Sequence, residues 1–173
     1  LTHTSRVRMA KIIKENCISY KILKSSPKEI DDCKNLNTLE AQKAAAIIDT
    51  LNKDDKKIRS FIDCPSVNTD AWRNTLISFV KKVENLEVLC EHKADAKYIS
   101  VAAGSILAKV TREEEIEKLK KQYGDFGSGY PSDPKTKQFL KEQGKALSNS
   151  GIFRKSWSTW KKLFPENKQT TLF

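Results

Sequence analysis

Residues 92–136 read HKADAKYISVAAGSILAKVTREEEIEKLKKQYGDFGSGYPSDPKT, and the stretch changes character abruptly near its end. Its middle part, 98–122, is rich in helix formers and predicts a long helix. One side of that helix is expected to be apolar, at Ile99, Ala103, Ile106 and Val110. Three glycines and two prolines then fall within 124–134. They predict a rigid loop that ends the helix and holds Tyr130 in a fixed place.

Upstream of this stretch, strand-like and helix-like segments alternate. Strands are predicted within 17–26, 58–63 and 86–92, where apolar and polar residues alternate. Helices are predicted at 5–15, 26–33, 37–51, 68–83, 133–146 and 155–164. Their expected N-caps include Ser26, Asn37 and Asp133, and Pro27 and Pro134 follow two of these caps. This alternation predicts the α/β class, with few strands for so many helices.

The composition indicates a basic, soluble, globular chain of one domain. Of its 173 residues, 38% are hydrophobic and 31% charged, and no apolar run reaches the roughly 20 residues of a membrane span. The formal net charge of +10 favours a polyanionic partner such as nucleic acid, unless the chain is simply rich in lysine.

The four cysteines are scattered, at Cys17, Cys33, Cys64 and Cys90. They lack the close Cys and His spacing of a zinc site, and a chain with this much ordinary core needs no disulfide framework. We expect four buried thiols in a reducing cytoplasm.

Two acids follow predicted strands directly. Asp63 ends the strand at 58–63, and Asp95 lies just beyond the strand at 86–92. Ligands of open α/β sheets usually bind at the carboxyl ends of the strands, and oxygen ligands suit Mg²⁺ or Mn²⁺. The alternative is that Asp63 begins a turn and Asp95 caps the next helix.

A row of polar side chains lies on the long helix, opposite its apolar side. Ser105, Lys109 and Arg112 are spaced to share one helix face, where they could contact successive phosphates. Tyr130, in the loop that follows, is suited to stacking on a sugar or base. The alternatives are a solvated helix face and a tyrosine that packs on the core.

Taken in order, these segments resemble the ribonuclease HII family in its archaeal form. The resemblance rests on ADAKY at 94–98, AAGSILAKVTRE at 102–113 and YGDFGSGYPSDPKT at 123–136. A weaker likeness extends back to Leu1 and forward to RKSWSTWKKL at 154–163. It departs mildly from the family at Gly104, usually Ala, and at Glu113, usually Asp.

The resemblance implies a ribonuclease H-like fold, a mixed sheet flanked by helices. It also implies an endonuclease that cuts the RNA strand of RNA·DNA hybrids and nicks at ribonucleotides in duplex DNA. The family uses four acids with Mg²⁺ or Mn²⁺, and Asp63 and Asp95 resemble the third and fourth. Ser105, Lys109 and Arg112 resemble residues near the substrate backbone, and Tyr130 resembles the tyrosine that stacks at the ribonucleotide.

The family motif G-I-D-E-A-G-R-G, with the first two acids, has no counterpart in these residues. The resemblance implies a family strand order of 3-2-1-4-5, of which this chain would supply strands 3, 4 and 5. Either the sequence is part of a longer protein or a second polypeptide supplies the rest; a truncated pseudoenzyme is a third alternative. We therefore expect these residues alone to fold poorly and not to cleave.

The expected domain organisation follows the resemblance. We predict an N-terminally incomplete catalytic domain at 1–122, a substrate-binding loop and helical region at 123–164, and a tail at 165–173. In the tail, Gln169, Leu172 and Phe173 resemble the start of a box that docks proteins on the sliding clamp; the alternative is a disordered tail. The alternative function for the whole chain is a non-catalytic hybrid-binding fragment or subunit.

Overall fold

The computed structural model describes residues 1–53 and 56–165, in which helices alternate with a small sheet. The elements, in chain order, are α1 (His3–Asn16), α2 (Pro27–Asp32), α3 (Leu36–Leu51), β1 (Ile58–Asp63), α4 (Thr69–Ile77), β2 (Leu86–Glu91), a 3₁₀ turn (Ala94–Ala96), α5 (Ile99–Tyr123), α6 (Pro134–Gln143) and α7 (Ser158–Leu163). The predicted α/β class is confirmed.

The sheet of the described residues is a parallel pair, β1 beside β2. The register runs from Ile58 opposite Leu86 to Asp63 opposite Glu91, so both strands end at the same edge. One face of the pair, including Ile62, Val88 and Cys90, packs against a core of α3 and α4 side chains. The core's buried members are Ala41, Ala45, Ile48, Cys64, Trp72, Leu76 and Val80.

The strand predicted within 17–26 is wrong, because these residues form no regular structure before α2. Ile18 is fully exposed and Tyr20 is 47% exposed, while Ile22 packs beside α1 and α5. A strand satisfies its backbone N–H and C=O groups through a neighbouring strand. The described residues offer this segment no such neighbour, since their sheet contains only β1 and β2.

Helix starts follow the predicted capping chemistry, with one correction. Ser26 accepts a hydrogen bond from the Glu29 N–H, and Asp133 caps α6 in the same way. The cap of α3 is Asn35, not the predicted Asn37, because the Asn35 side chain accepts from the N–H groups two and three residues on. Three helices are clearly shorter than predicted: α4 ends at Ile77, α6 ends at Gln143, and α7 begins at Ser158 and ends at Leu163.

A second small cluster joins α1 to α5. Ala10, Leu107 and Val110 are its buried members, and Ile106 packs against them. The apolar side predicted for α5 is therefore present around Ile106 and Val110, but it does not include Ile99, which is 90% exposed. Ile99 is the first residue of the helix, beyond the reach of this cluster.

The chain divides into two compact units, with a boundary inside α5 between Glu114 and Glu115. The first unit comprises Leu1–Lys24 and Lys34–Glu114; the second comprises Ser25–Cys33 and the described residues from Glu115 onward. A chain of aromatic rings runs through the second unit: Phe126, Phe139, Phe153, Trp160 and Phe164. The predicted domain boundaries at 122/123 and 164/165 stay a prediction.

The cysteines are free thiols, as predicted, but their burial differs from the expectation. Only Cys64 is buried, and Cys17, Cys33 and Cys90 are half-buried. Burial, reinforced by the neighbouring Cys64, raises the pKa of Cys90 to about 11. Across the described part of the chain, no helix is both long enough and apolar enough to cross a membrane.

Two helix glycines give opposite predictions for substitution by alanine. A Cβ on Gly104 would meet no atom within 4 Å, whereas a Cβ on Gly144 would lie 2.8 Å from the Phe164 ring. Gly104→Ala should stabilise the chain by about 1 kcal/mol through helix propensity. Gly144→Ala should destabilise it by about 1–3 kcal/mol through overpacking. Urea unfolding of both variants measures this, and equal midpoints would contradict the packing around Phe164.

Candidate active site at the carboxyl edge of the sheet

Asp63 and Asp95 lie at the same edge of the sheet. Asp63 is the last residue of β1, and its Oδ1 accepts a hydrogen bond of 3.1 Å from the Ala94 N–H. Asp95 directly follows Ala94 in the chain and lies in the 3₁₀ turn. Both acids are exposed to solvent. The structure thus brings one predicted acid into contact with the backbone that carries the other.

The Asp95 turn, residues 92–98, has a closely defined backbone. It begins at Lys93, whose φ of 57° is left-handed and unusual for a residue with a Cβ. The Lys97 and Tyr98 N–H groups then both bond to the Ala94 carbonyl, at 3.0 and 2.9 Å. Ala94 itself is completely buried. Because the turn closes around a buried residue, the backbone at Asp95 is fixed by its neighbours.

Side chains from β2 and the turn add a second restraint. Glu91 Oε1 accepts a hydrogen bond of 2.8 Å from the Tyr98 hydroxyl, and Lys97 forms an ion pair with the same carboxylate. The Tyr98 ring stacks on Phe61 of β1, with centroids 4.2 Å apart. The hydrogen bonds from Lys97 and Tyr98 lower the pKa of Glu91, and the bond to Glu91 raises the pKa of Tyr98.

Glu91 was not among the residues predicted from the sequence. It lies directly opposite Asp63 in the strand register, and residues in register on parallel strands share one face of the sheet. Four residues earlier on each strand, Arg59 donates a hydrogen bond of 3.0 Å to Glu87, and this pair lies on the same face of the sheet. The sequence feature that could have identified Glu91 is the alternation of LEVLCE at 86–91. This alternation places Glu91 on the sheet face opposite Val88 and Cys90.

The two predicted acids suit a hard divalent cation only as part of its ligand set. Mg²⁺ in enzymes commonly takes one or two carboxylates and completes its octahedron with water and substrate phosphate oxygens. Within residues 1–53 and 56–165, no three His, Cys, Asp or Glu side chains are grouped so that they could hold a metal. If Asp63 and Asp95 bind such a cation, water and phosphate oxygens would have to complete its ligand set.

The polar side chains predicted on α5 do share one helix face. Ser105, Lys109 and Arg112 are spaced by four and three residues, opposite Leu107 and Val110, which are buried. Lys109 is exposed, and the other two are half-buried. The face belongs to the same compact unit as Asp63 and Asp95.

Tyr130 lies in the second unit, on a loop defined here as the Tyr130 loop, residues 124–133. The ring is 51% exposed, so it does not pack fully into a core. The loop is closed by its own hydrogen bonds: Ser128 N–H donates to Asp133 Oδ2 at 2.7 Å, and Gly129 N–H donates to Thr136 Oγ1 at 3.0 Å. Gly127 and Gly129 have φ of 77° and 73°, which explains the glycines.

Two carboxylates hold the loop together electrostatically. The hydrogen bond from Lys135, followed by that from the Gly127 N–H, lowers the pKa of Asp125 to about 2. Hydrogen bonds from Ser128 and from the Lys135 N–H lower the pKa of Asp133 to about 2. Both acids are therefore ionised across the physiological range.

The three residues predicted to bind a sliding clamp, Gln169, Leu172 and Phe173, lie outside the described residues.

Comparison with known proteins agrees with this architecture. The family model described as Ribonuclease HII matches residues 1–160. The chain belongs to the ribonuclease HII family. It is similar to Ribonuclease HII of Pyrococcus furiosus, 47% identical over 148 residues, covering 83% of this chain and 63% of that protein. The chain thus spans less than two thirds of that relative's length.

Two solved structures of the family resemble the chain. One is the ribonuclease H2 of Pyrococcus horikoshii OT3, with a TM-score of 0.83 and 38% identity over 94% of this chain and 76% of that one. The other is a PCNA:RNase HII complex from Archaeoglobus fulgidus, with a TM-score of 0.77 and 36% identity over 99% and 79%. These matches confirm the predicted ribonuclease H-like fold.

One departure from the ribonuclease HII pattern has a local role. Glu113 of α5 forms an ion pair with Arg6 of α1 and a hydrogen bond of 2.7 Å with His3. Burial raises the pKa of Glu113, but the bonds from His3 and Arg6 outweigh it, so the pKa is lowered overall. The longer Glu side chain thus ties α1 to α5.

The Tyr130 loop should lose order in acid. A carboxyl with a pKa near 4 when unfolded and about 2 when folded adds stability above pH 4, and this is lost as pH falls through 2. We expect carboxyl ¹³C NMR titration of Asp125 and Asp133 to give midpoints near 2, with a lower protection factor for the Ser128 amide, relative to its intrinsic exchange rate, below pH 4. Midpoints near 4 for both acids would contradict the loop's hydrogen bonds.

Proposed function

We propose that the protein to which this chain belongs is a divalent-metal-dependent endonuclease. It would hydrolyse the RNA strand of RNA·DNA hybrids and nick at single ribonucleotides in duplex DNA. The observation that carries the proposal is the hydrogen bond from Ala94 to Asp63 beside Asp95, at the carboxyl edge of the sheet. Membership of the ribonuclease HII family supports it.

Asp63 and Asp95 are the proposed cation-binding residues. The Asp63 Oδ1 is engaged by the Ala94 N–H, which orients the carboxylate and leaves Oδ2 for a cation. The Asp95 backbone is fixed by the turn, so its carboxylate approaches from the adjacent element. Mg²⁺ or Mn²⁺, when bound, would supply Lewis acidity toward the phosphodiester and favour attack by water. The products would carry a 5′-phosphate and a 3′-hydroxyl.

The substrate would be positioned by charge and by stacking. Lys109 and Arg112 would contact the phosphate backbone, with Ser105 as a hydrogen-bonding partner on the same helix face. Tyr130, half exposed on a loop fixed by Asp133, would stack at the ribonucleotide and contribute to the distinction between ribose and deoxyribose. The net charge of +10 favours nucleic acid generally.

The proposed setting is DNA replication and repair in the cytoplasm, with a sliding clamp as partner. Gln169, Leu172 and Phe173 are the residues proposed to dock on the clamp. The PCNA:RNase HII complex among the similar structures supports such a partner.

A non-catalytic hybrid-binding module is the second candidate. Among the described residues, no three His, Cys, Asp or Glu side chains are grouped so that they could hold a metal ion. Such a module would retain the basic face of α5 and Tyr130. It would bind hybrid without metal-dependent turnover.

Removing either acid should abolish cleavage but spare the fold. Asp63→Asn keeps the Oδ1 that accepts from Ala94, and Asp95→Asn is nearly isosteric, so each removes charge alone. Nicking of duplex DNA with one ribonucleotide would be measured with Mg²⁺ or Mn²⁺, using this chain alone and with a relative's G-I-D-E-A-G-R-G segment added. In the arm with the added segment we expect a loss of at least about 10²-fold, whereas this chain alone is expected not to nick with or without the substitution.

Asp70→Asn is the matched control, since Asp70 is exposed and forms an ion pair with Arg73 at 3.4 Å on α4. It should leave nicking and the melting temperature unchanged. Nicking that survives in Asp63→Asn or Asp95→Asn would refute the catalytic assignment. Hybrid binding with no nicking in any arm would favour the binding module.

Binding measurements should distinguish the charge contribution of Lys109 from the stacking contribution of Tyr130. Lys109→Ala should weaken binding to hybrid and to all-DNA duplex alike and reduce the salt slope by about 1, because one phosphate contact is lost. Tyr130→Ala should instead reduce the preference for a ribonucleotide-containing duplex, and Tyr130→Phe should retain it. Fluorescence anisotropy over a salt series measures both, and an unchanged preference in Tyr130→Ala would exclude the stacking role.

A further inference from the structure

A basic, aromatic surface lies in the second unit, apart in sequence from the Tyr130 loop. Residues 143–165 contain no acid. They contain five cations: Lys145, Arg154, Lys155, Lys161 and Lys162. Such a run concentrates positive charge where two tryptophans also occur, at 157 and 160.

The two tryptophans have different surroundings. Trp160 belongs to the aromatic chain of the second unit, with ring centroids 5.2 Å from Phe153 and 4.6 Å from Phe164. Trp157 does not belong to this row of aromatic rings, and it is 37% exposed. The guanidinium of Arg154 lies over its ring, 3.8 Å from the centroid. Arg154 is half-buried and covers one face of the Trp157 ring.

The backbone beside Trp157 is anchored from another part of the chain. Asp31 accepts hydrogen bonds from the Lys155 N–H at 2.6 Å and from the Ser156 N–H and hydroxyl at 3.2 and 2.5 Å. These three bonds fix residues 155–156, immediately before Trp157. The carboxylate also acts on Arg154, where its charge opposes the lowering of the guanidinium pKa by burial.

A cation beneath the ring and an anchored backbone make Trp157 a preorganised stacking surface. An indole held in place loses little conformational entropy when a second planar group stacks on it. Every nucleobase has a π-face, so such stacking tolerates any sequence, while nearby lysines can contact phosphates. In a continuous duplex the base faces are already stacked on one another, so this surface fits an unpaired base.

We propose that Trp157, backed by Arg154 and flanked in sequence by Lys155, Lys161 and Lys162, binds an unpaired base of a single-stranded nucleic-acid segment. The protein would then bind a duplex with an overhang more tightly than a blunt one. The inference rests on the proposed function only in the assumption that the duplex is an RNA·DNA hybrid. Stacking on Trp157 itself does not depend on the kind of duplex.

The test is fluorescence anisotropy with labelled hybrid and all-DNA duplexes, each blunt or with an overhang of about eight nucleotides. With a relative's G-I-D-E-A-G-R-G segment added to every variant, the unmodified chain should bind both overhang forms about tenfold more tightly than the blunt forms. Trp157→Ala should remove this advantage, and Trp157→Phe should keep most of it. Ser158→Ala, an exposed neighbour, is the matched control and should change nothing. Circular dichroism melts of all variants check that each one folds.

The different duplexes and variants in this experiment distinguish failure of this inference from failure of the proposed function. If hybrid bound no better than all-DNA duplex but the overhang advantage vanished in Trp157→Ala, the proposed substrate would be wrong and the stacking surface would stand. An overhang advantage that persists in Trp157→Ala while Trp157→Phe and Ser158→Ala are unaltered would overturn it. Binding to phosphatidylserine vesicles that depends on Trp157, with no overhang advantage, would also overturn it and assign the surface to membranes.

Discussion

The hydrogen bond between the Ala94 N–H and the Asp63 carboxylate connects the sheet to the turn on which the candidate site depends. Parallel pairing brings the ends of β1 and β2 to one edge, but that alone would leave residues 92–98 free to vary. The 3.1 Å bond joins the last residue of one strand to the element after the other. Ala94 is buried and directly precedes Asp95. Fixing the Ala94 backbone therefore also fixes the position of the Asp95 backbone.

The remainder of the first unit supports this edge. The α3 and α4 side chains pack on one face of the strands, which holds β1 and β2 in register. On the other face, Tyr98 stacks on Phe61 and donates to Glu91, so the turn is attached to both strands. Glu91 is engaged by Lys97 and Tyr98, whereas Asp63 and Asp95 are the acids at this edge that we propose as cation ligands.

The second unit presents aromatic side chains on rigid supports in two places. Tyr130 is held by a loop whose carboxylates and backbone N–H groups satisfy one another, and Trp157 is held by Arg154 and by the Asp31 anchor. In both, charged hydrogen bonds do the positioning and leave an aromatic ring exposed. The inner aromatic chain from Phe126 to Phe164 provides the core on which these surface features rest.

The sequence by itself determined the α/β class, the strands at 58–63 and 86–91, the caps at Ser26 and Asp133, and the family. These follow from local alternation, capping chemistry and an ordered motif, all of which act over a few residues. Tertiary structure decided what depends on distant partners. The segment at 17–26 alternates like a strand but has no neighbour in the described sheet, and Ile99 matches the helical period but lies beyond the α1–α5 cluster. Glu91 comes to lie opposite Asp63, and the backbone before Trp157 comes to be held by Asp31, only once the chain has folded. Strand pairing and hydrogen bonding of this kind depend on distances that spacing along the chain does not set.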